Sequence, residues 1–200
     1  MKETRVPFKA PMVRAILSGA KWQTRRIAHG VPAPGGFKIG DVLQGQGGKP
    51  IKPPYGVPGD RILATEAWRV AEESDHLPPS ALTPAHRVWY EADAPHQPGF
   101  GRLRPSMFMP FWASRIQRDI TDLRVERLLD ISEADAMAEG IETYRGALRW
   151  VRYQDAIDPN VSHLTAKDAY LALWEHINGP GSAMLNPMVW AYSFNRSKTQ

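Results

Sequence analysis

Ile16-Leu17-Ser18-Gly19-Ala20-Lys21-Trp22-Gln23-Thr24-Arg25-Arg26 joins the end of a helix to the start of an extended segment, and the rest of the chain is read outward from it. Upstream, Pro11 to Gly19 has the pattern of a short helix, because Pro suits a first turn and Gly suits the stop. Met12, Ile16 and Ala15 fall on one face at helical spacing. Beyond the Gly, residues 21–27 read as extended. A Lys, a Thr and two Arg are gathered there directly behind the helix stop.

Further along, residues 31–59 are rich in Gly and Pro and read as loop, with a short strand near Asp41-Val42-Leu43. Pro58-Gly59-Asp60 is a turn feeding a strand from Arg61 to Trp68. Residues 71–110 hold seven prolines and little periodicity, which predicts a long surface insertion with one short strand between Arg87 and Glu91. Alternation returns between Ser114 and Leu128, placing Ile116, Ile120, Leu123 and Val125 inward. Ser132-Glu133-Ala134-Asp135 opens a helix ending at Glu139-Gly140. A third helix is predicted from Thr165 to Asn178, and a last strand from Met188 to Phe194. Strands outnumber helices and interleave irregularly without an internal repeat. This predicts one α+β domain over residues 1–200, built on a small β-barrel with flanking helices and long loop insertions.

Composition narrows the function. Hydrophobic residues at 42% and charged residues at 23% fit a globular chain. No apolar run reaches the roughly 18 residues of a membrane span, and the first residues lack the apolar core of a secretory signal. With no cysteine there is no thiolate nucleophile, disulfide framework or Cys-based zinc site. The expectation is a cytoplasmic protein without a membrane partner. Residues 1–30 carry seven Lys or Arg against one acid, so they hold +6 while the other residues together hold −2. A basic N-terminal stretch suits a nucleotide or RNA phosphate, or is a solvated face.

No phosphate loop, dinucleotide fingerprint or zinc-protease motif is present, and the six His are scattered without metal-ligand spacing, so neither metal nor cofactor is expected. The chemistry is sought in the 18–26 segment. A Lys near other cations has a depressed pKa and can act as a base toward the Thr24 hydroxyl. Strict alternation, however, puts Lys21 and Thr24 on opposite faces, so convergence needs an irregular turn at 19–21. Arg26 shares a face with Thr24 and Trp22. Glu66 shares a face with Ile62, Ala64 and Trp68; it lines a cleft or is paired with Arg61 or another base. Trp22 and Trp68 either stack on a base or belong to the core. Glu139, beside a helix-ending Gly, by itself reads as a surface residue.

The 16–26 run resembles the signature of the ASCH family in the PUA-like superfamily, a helix end followed by G-x-K-x-x-T-x-R. Leu129 to Gly140 is similar to that family's helix with its late Glu, and the Gly59-Asp60 turn to its layout. The stretches Arg104 to Ile116 and Leu173 to Gly181 resemble a phage and prophage branch. The resemblance implies a PUA-like β-barrel whose cleft takes RNA or modified nucleosides. By similarity to the family's N4-acetylcytidine amidohydrolase, it implies Thr24 as nucleophile, Lys21 as its base, and Glu139 as the group that orients Lys21 or shuttles a proton. It also implies Arg26 on the substrate; Arg25, Trp22, Glu66 and Trp68, taken from the reading of the residues themselves, complete the candidate binding set. The chain is longer than that enzyme, with insertions at about 71–110 and about 143–164. The favoured expectation is an RNA- or nucleoside-directed hydrolase. The alternatives are a non-catalytic RNA-binding module, a ribonuclease, or a phage assembly role.

Overall fold

The computed structural model describes residues 1–31, 50–93, 97–145, 151–154, 158 and 160–196. The strand expected at Asp41-Val42-Leu43 lies outside them. The architecture is mixed α+β. Its main sheet runs β1 (Glu3–Pro7), β3 (Arg61–Thr65), β6 (Ile116–Arg127), β10 (Met188–Phe194) and β2 (Gln23–Ile27), in that spatial order. Only β1 and β3 pair in parallel; the other neighbours are antiparallel.

β6 organises this sheet because it is long enough to serve two partners. Its first residues pair with β3, Ile116 opposite Ala64, and from Ile120 onward it pairs with β10. Ile116, Ile120, Leu123 and Val125 are all buried, in one cluster with Val6, Ile62, Trp190, Tyr192 and Phe194, and the inward parity changes between Ile120 and Leu123, where the pairing with β10 shifts register. The barrel expectation fares differently. Among the described residues no strand pairing joins β1 to β2, so the sheet is not a closed barrel. The two edges are tied by one side chain instead. Arg26 donates from Nη2 to Pro7 O at 2.8 Å and lies over the Phe8 ring.

Helix α1 (Ala10–Leu17) starts with Pro11 in its first turn, and helix α2 (Glu133–Ala138) starts on Ser132, whose hydroxyl accepts from Asp135 N. Helix α3 (Ala166–Asn178) is capped by Thr165, and Gly179 beyond it has φ +100. Leu173 and Trp174 of α3 pack with Leu128, Ile131 and Val189 into a second core on the other face of the sheet.

Two features differ from the sequence expectation. The strand predicted from Arg61 to Trp68 is two strands, β3 and then β4 (Trp68–Arg69), with Glu66 and Ala67 between them. β4 pairs with β5 (Trp89–Tyr90). The Pro-rich stretch is also more than a surface loop. Leu82 and Met109 bury with Trp68, Val70 and Ala113 into a small core of their own. Its prolines mark the starts of short 3₁₀ turns at Pro79, Ser106 and Phe111 rather than absence of structure. Strands β7 (Thr143–Arg145), β8 (Val151–Gln154) and β9 (Ser162–His163) form a separate antiparallel sheet where the second insertion was placed.

Candidate functional site

Residues 20–22 pass between the C-terminal ends of two helices. Lys21 N donates to Ala15 O of α1, and Trp22 N donates to Ala138 O of α2, each at 2.9 Å. Both helix ends carry partial negative charge, a setting that favours a cation. Lys21 is that cation, and it is buried. Its Nζ donates to Glu139 Oε2 at 2.5 Å and to Glu139 O at 2.9 Å, while the two backbones form an isolated antiparallel bridge.

Glu139 also serves Arg25. The guanidinium, buried at 3% exposure, donates from Nη1 to Glu139 Oε1 and from Nε to Glu126 Oε1. Arg25 Nη2 lies 2.7 Å from Glu126 Oε1 and 3.4 Å from Asp135 Oδ2, close enough for charge pairing but not aligned as a hydrogen bond. Gln23 completes the cluster, donating to Asp135 Oδ1 and accepting from Arg25 Nη1. Lys21, Gln23 and Arg25 thus point to one side, as period two requires. Their partners Asp135 and Glu139 stand one helical turn apart.

Burial dominates the ionisation of Lys21. Removal from water pulls its pKa below the ordinary 10.5, with Glu139 opposing and Arg26 and Arg25 adding to the depression. For Arg25 burial again acts downward, but Glu139 and Glu126 outweigh it and the net shift is upward. Tyr170 is raised well above its ordinary value, chiefly by burial and then by the Glu139 charge.

The Lys21 shift makes stability depend on pH. Between the lowered folded value and 10.5 the unfolded chain binds a proton that the folded chain does not, so raising pH stabilises the fold. As pH rises toward 10.5, wild type should gain in urea midpoint relative to Lys21→Met. Parallel curves for the two proteins would show that Lys21 stays charged in the fold.

Thr24 is buried and pairs across the strand with Tyr192, on the core face opposite Lys21 and Arg25. Its hydroxyl makes no hydrogen bond among the described residues, and Lys21 Nζ does not reach it. Both residues nevertheless border one cavity of about 60 Å³, together with Glu139, Arg26, Met12 and Tyr170. A volume of that order holds about two waters. A larger cavity of about 370 Å³ adjoins it across Met12, Glu139 and Leu173, with Lys9, Arg14, Ser18, Ile141 and Gln154 among its walls. Gly140 lines the larger cavity at φ +97. A Cβ there would stand 3.0 Å from Lys21 Cβ and 3.1 Å from Ala15 Cβ. Gly140→Ala should therefore lose roughly 1–3 kcal/mol through overpacking and backbone strain, readable by urea unfolding.

The remaining candidates lie elsewhere or are already engaged. Arg25 is held by acids and is not free for a substrate. Trp22 is half-buried under Arg196, whose Cζ lies 4.7 Å from its ring centre. Glu66, 2% exposed, is clasped by Arg115 through two contacts at 2.8 and 3.1 Å, and burial raises its pKa against that pairing. Trp68 is fully buried beneath Arg104, so its ring offers no open face to a base. Neither Glu66 nor Trp68 borders the Lys21 cavity. Glu126, Asp135, Gln23 and Tyr170 were not expected in the site. A polar period-two run at 21, 23 and 25 was the available signal for Asp135, since such a face demands acids when buried. Among the described residues no group of three or more His, Asp or Glu is placed to hold a metal. No protein-family model, no curated protein and no solved structure matches this chain.

Proposed function

We propose that this chain is a cytoplasmic, cofactor-free hydrolase acting on a modified nucleoside or RNA, cleaving an exocyclic amide of the N4-acylcytidine type. The observation that carries the reading is the shared cavity: Lys21, Thr24 and Glu139 border one small chamber beside a larger one. A pocket of the larger size lies within the range that takes small ligands. The smaller chamber matches an acyl group rather than a whole nucleoside. We read the five-stranded sheet, edge-tied by Arg26, as an opened relative of the PUA-like barrel, in keeping with the ASCH resemblance.

In this mechanism the Thr24 hydroxyl attacks the acyl carbon while Lys21 Nζ takes the hydroxyl proton, directly or through one water. The proton passes to the departing amine, and the acyl group remains as an ester on Thr24. Water then cleaves that ester and restores the hydroxyl. Two positions on Lys21 Nζ are directed to Glu139, which leaves the third to exchange the proton. Arg26 borders the same chamber, and in this reading its guanidinium would leave Pro7 O to favour developing negative charge.

Purified protein should release acetate from N4-acetylcytidine, and both Thr24→Ala and Lys21→Met should abolish release while remaining folded. Absence of turnover, with RNA binding that weakens steeply as salt rises, would replace this reading with a non-catalytic RNA-binding module.

A further inference from the structure

Tyr170, Leu173, Trp174 and Ile177 recur along α3 at helical spacing, and all four pack in the second core. Tyr170 carries a phenol oxygen into this stripe at 4% exposure. That oxygen makes no hydrogen bond among the described residues. A buried hydroxyl without a partner costs free energy, so in a folded chain it calls for an explanation. The side chain borders the chamber of about 60 Å³ shared by Lys21 and Glu139. Arg25 Cζ lies 6.0 Å from its ring centre, and the charges of Glu139, Arg25 and Arg26 all act on its oxygen. The hydroxyl end of the ring is thus turned to the charged side of the chamber. Burial first, and then the Glu139 charge, keeps the phenol protonated, so it is available as a donor.

The other walls say what it would donate to. Lys21, Arg25 and Arg26 border the chamber against one acid, Glu139, whose two oxygens already accept from Lys21 and Arg25. Such a chamber is rich in donors and suits a ligand that brings its own oxygens. Met12, Leu173 and Ile177 supply apolar wall for a short alkyl group. We infer that the small chamber is a site for a short-chain acyl or carboxylate group, held at its oxygen by the Tyr170 hydroxyl. On the hydrolase reading, on which this role rests, Tyr170 is a further catalytic residue. Its O–H donates to the acyl oxygen, whose negative charge grows as Thr24 Oγ1 bonds to the acyl carbon, and the phenol keeps its proton throughout. This donor is in place without a bond being broken, whereas Arg26 must first leave Pro7 O.

Two measurements on wild type and Tyr170→Phe test the site: binding of carboxyl-labelled acetate followed by NMR line broadening, and release of acetate from N4-acetylcytidine. The substitution removes only the oxygen, so the thermal midpoint should not fall. Acetate affinity should drop by roughly tenfold, the loss of one hydrogen bond to a charged group. In turnover, kcat should drop by roughly 10²–10³-fold while KM changes far less. Tyr90→Phe, whose hydroxyl donates to Ala113 O away from the chamber, should match wild type in both measurements. Acetate binding that depends on Tyr170 in a protein without turnover upholds the site and removes only the hydrolase reading. Acetate binding that is absent from wild type or indifferent to Tyr170→Phe overturns the site, and turnover then decides the hydrolase reading separately. An unchanged kcat overturns the catalytic role. A lowered thermal midpoint in Tyr170→Phe would show the hydroxyl bonded within the fold, and overturns the site as well.

Discussion

Replacing Glu139 with alanine is expected to cost about 3–5 kcal/mol of folding stability, because it strands buried cations. Of its partners among the described contacts Lys21 would keep only the Glu139 backbone oxygen, and Arg25 would lose one of its acids. Neither cation can escape to water: Lys21 is 2% exposed and Arg25 3%. The pair itself need not stabilise the fold relative to apolar groups, since desolvating two charges offsets much of their attraction. Hence Glu139→Ala combined with Lys21→Met should recover a large part of the loss. Urea unfolding of the single and double variants measures the coupling. Additive effects would mean that the two side chains do not depend on one another, and the proposed orienting role of Glu139 would fall with that result.

Trp68→Ala is expected to lose a similar amount, about 3–5 kcal/mol, through the cavity left in a fully buried site. The loss should unfold the small core around Val70, Leu82 and Met109 first, because these residues surround the indole. Trp68→Phe should be much milder. The indole Nε1 has no hydrogen-bond partner among the described residues, so the phenyl ring forfeits packing but no polar contact. Both variants, where folded, should keep whatever activity the Lys21 cavity has. A Trp68→Ala protein of normal stability with impaired substrate binding would restore the ring to a substrate cleft.

Local signals carried much of this fold. Alternation on either side of the register shift marked the inward residues of β6, and Ser132 and Thr165 marked helix starts through caps that need only neighbouring residues. Glu66 was harder, because strict alternation assumed an unbroken strand from 61 to 68. The break at 66–67 is set by β4 turning toward β5, a pairing of residues about twenty positions apart. Its partner Arg115 lies 49 residues away, and no local pattern announces such an ion pair. The same holds for Glu126 on Arg25, across 101 residues. The resemblance brought Lys21 and Glu139 forward together, whereas composition showed only the basic N-terminal stretch.

Strand β2 hydrogen-bonds to β10 alone among the strands of its sheet, and β10 comes from residues 188–194. During synthesis, Thr24 and Arg25 therefore wait until residues 188–194 are made before their strand gains a neighbour. Lys21 waits in turn for Glu139, 118 residues later. A nascent chain arrested before residue 188 holds the basic segment as an unpaired edge, with the Pro-rich module already able to gather its own core. The site is thus completed only after β10 has been made, and termination before it would yield the surface elements without the site.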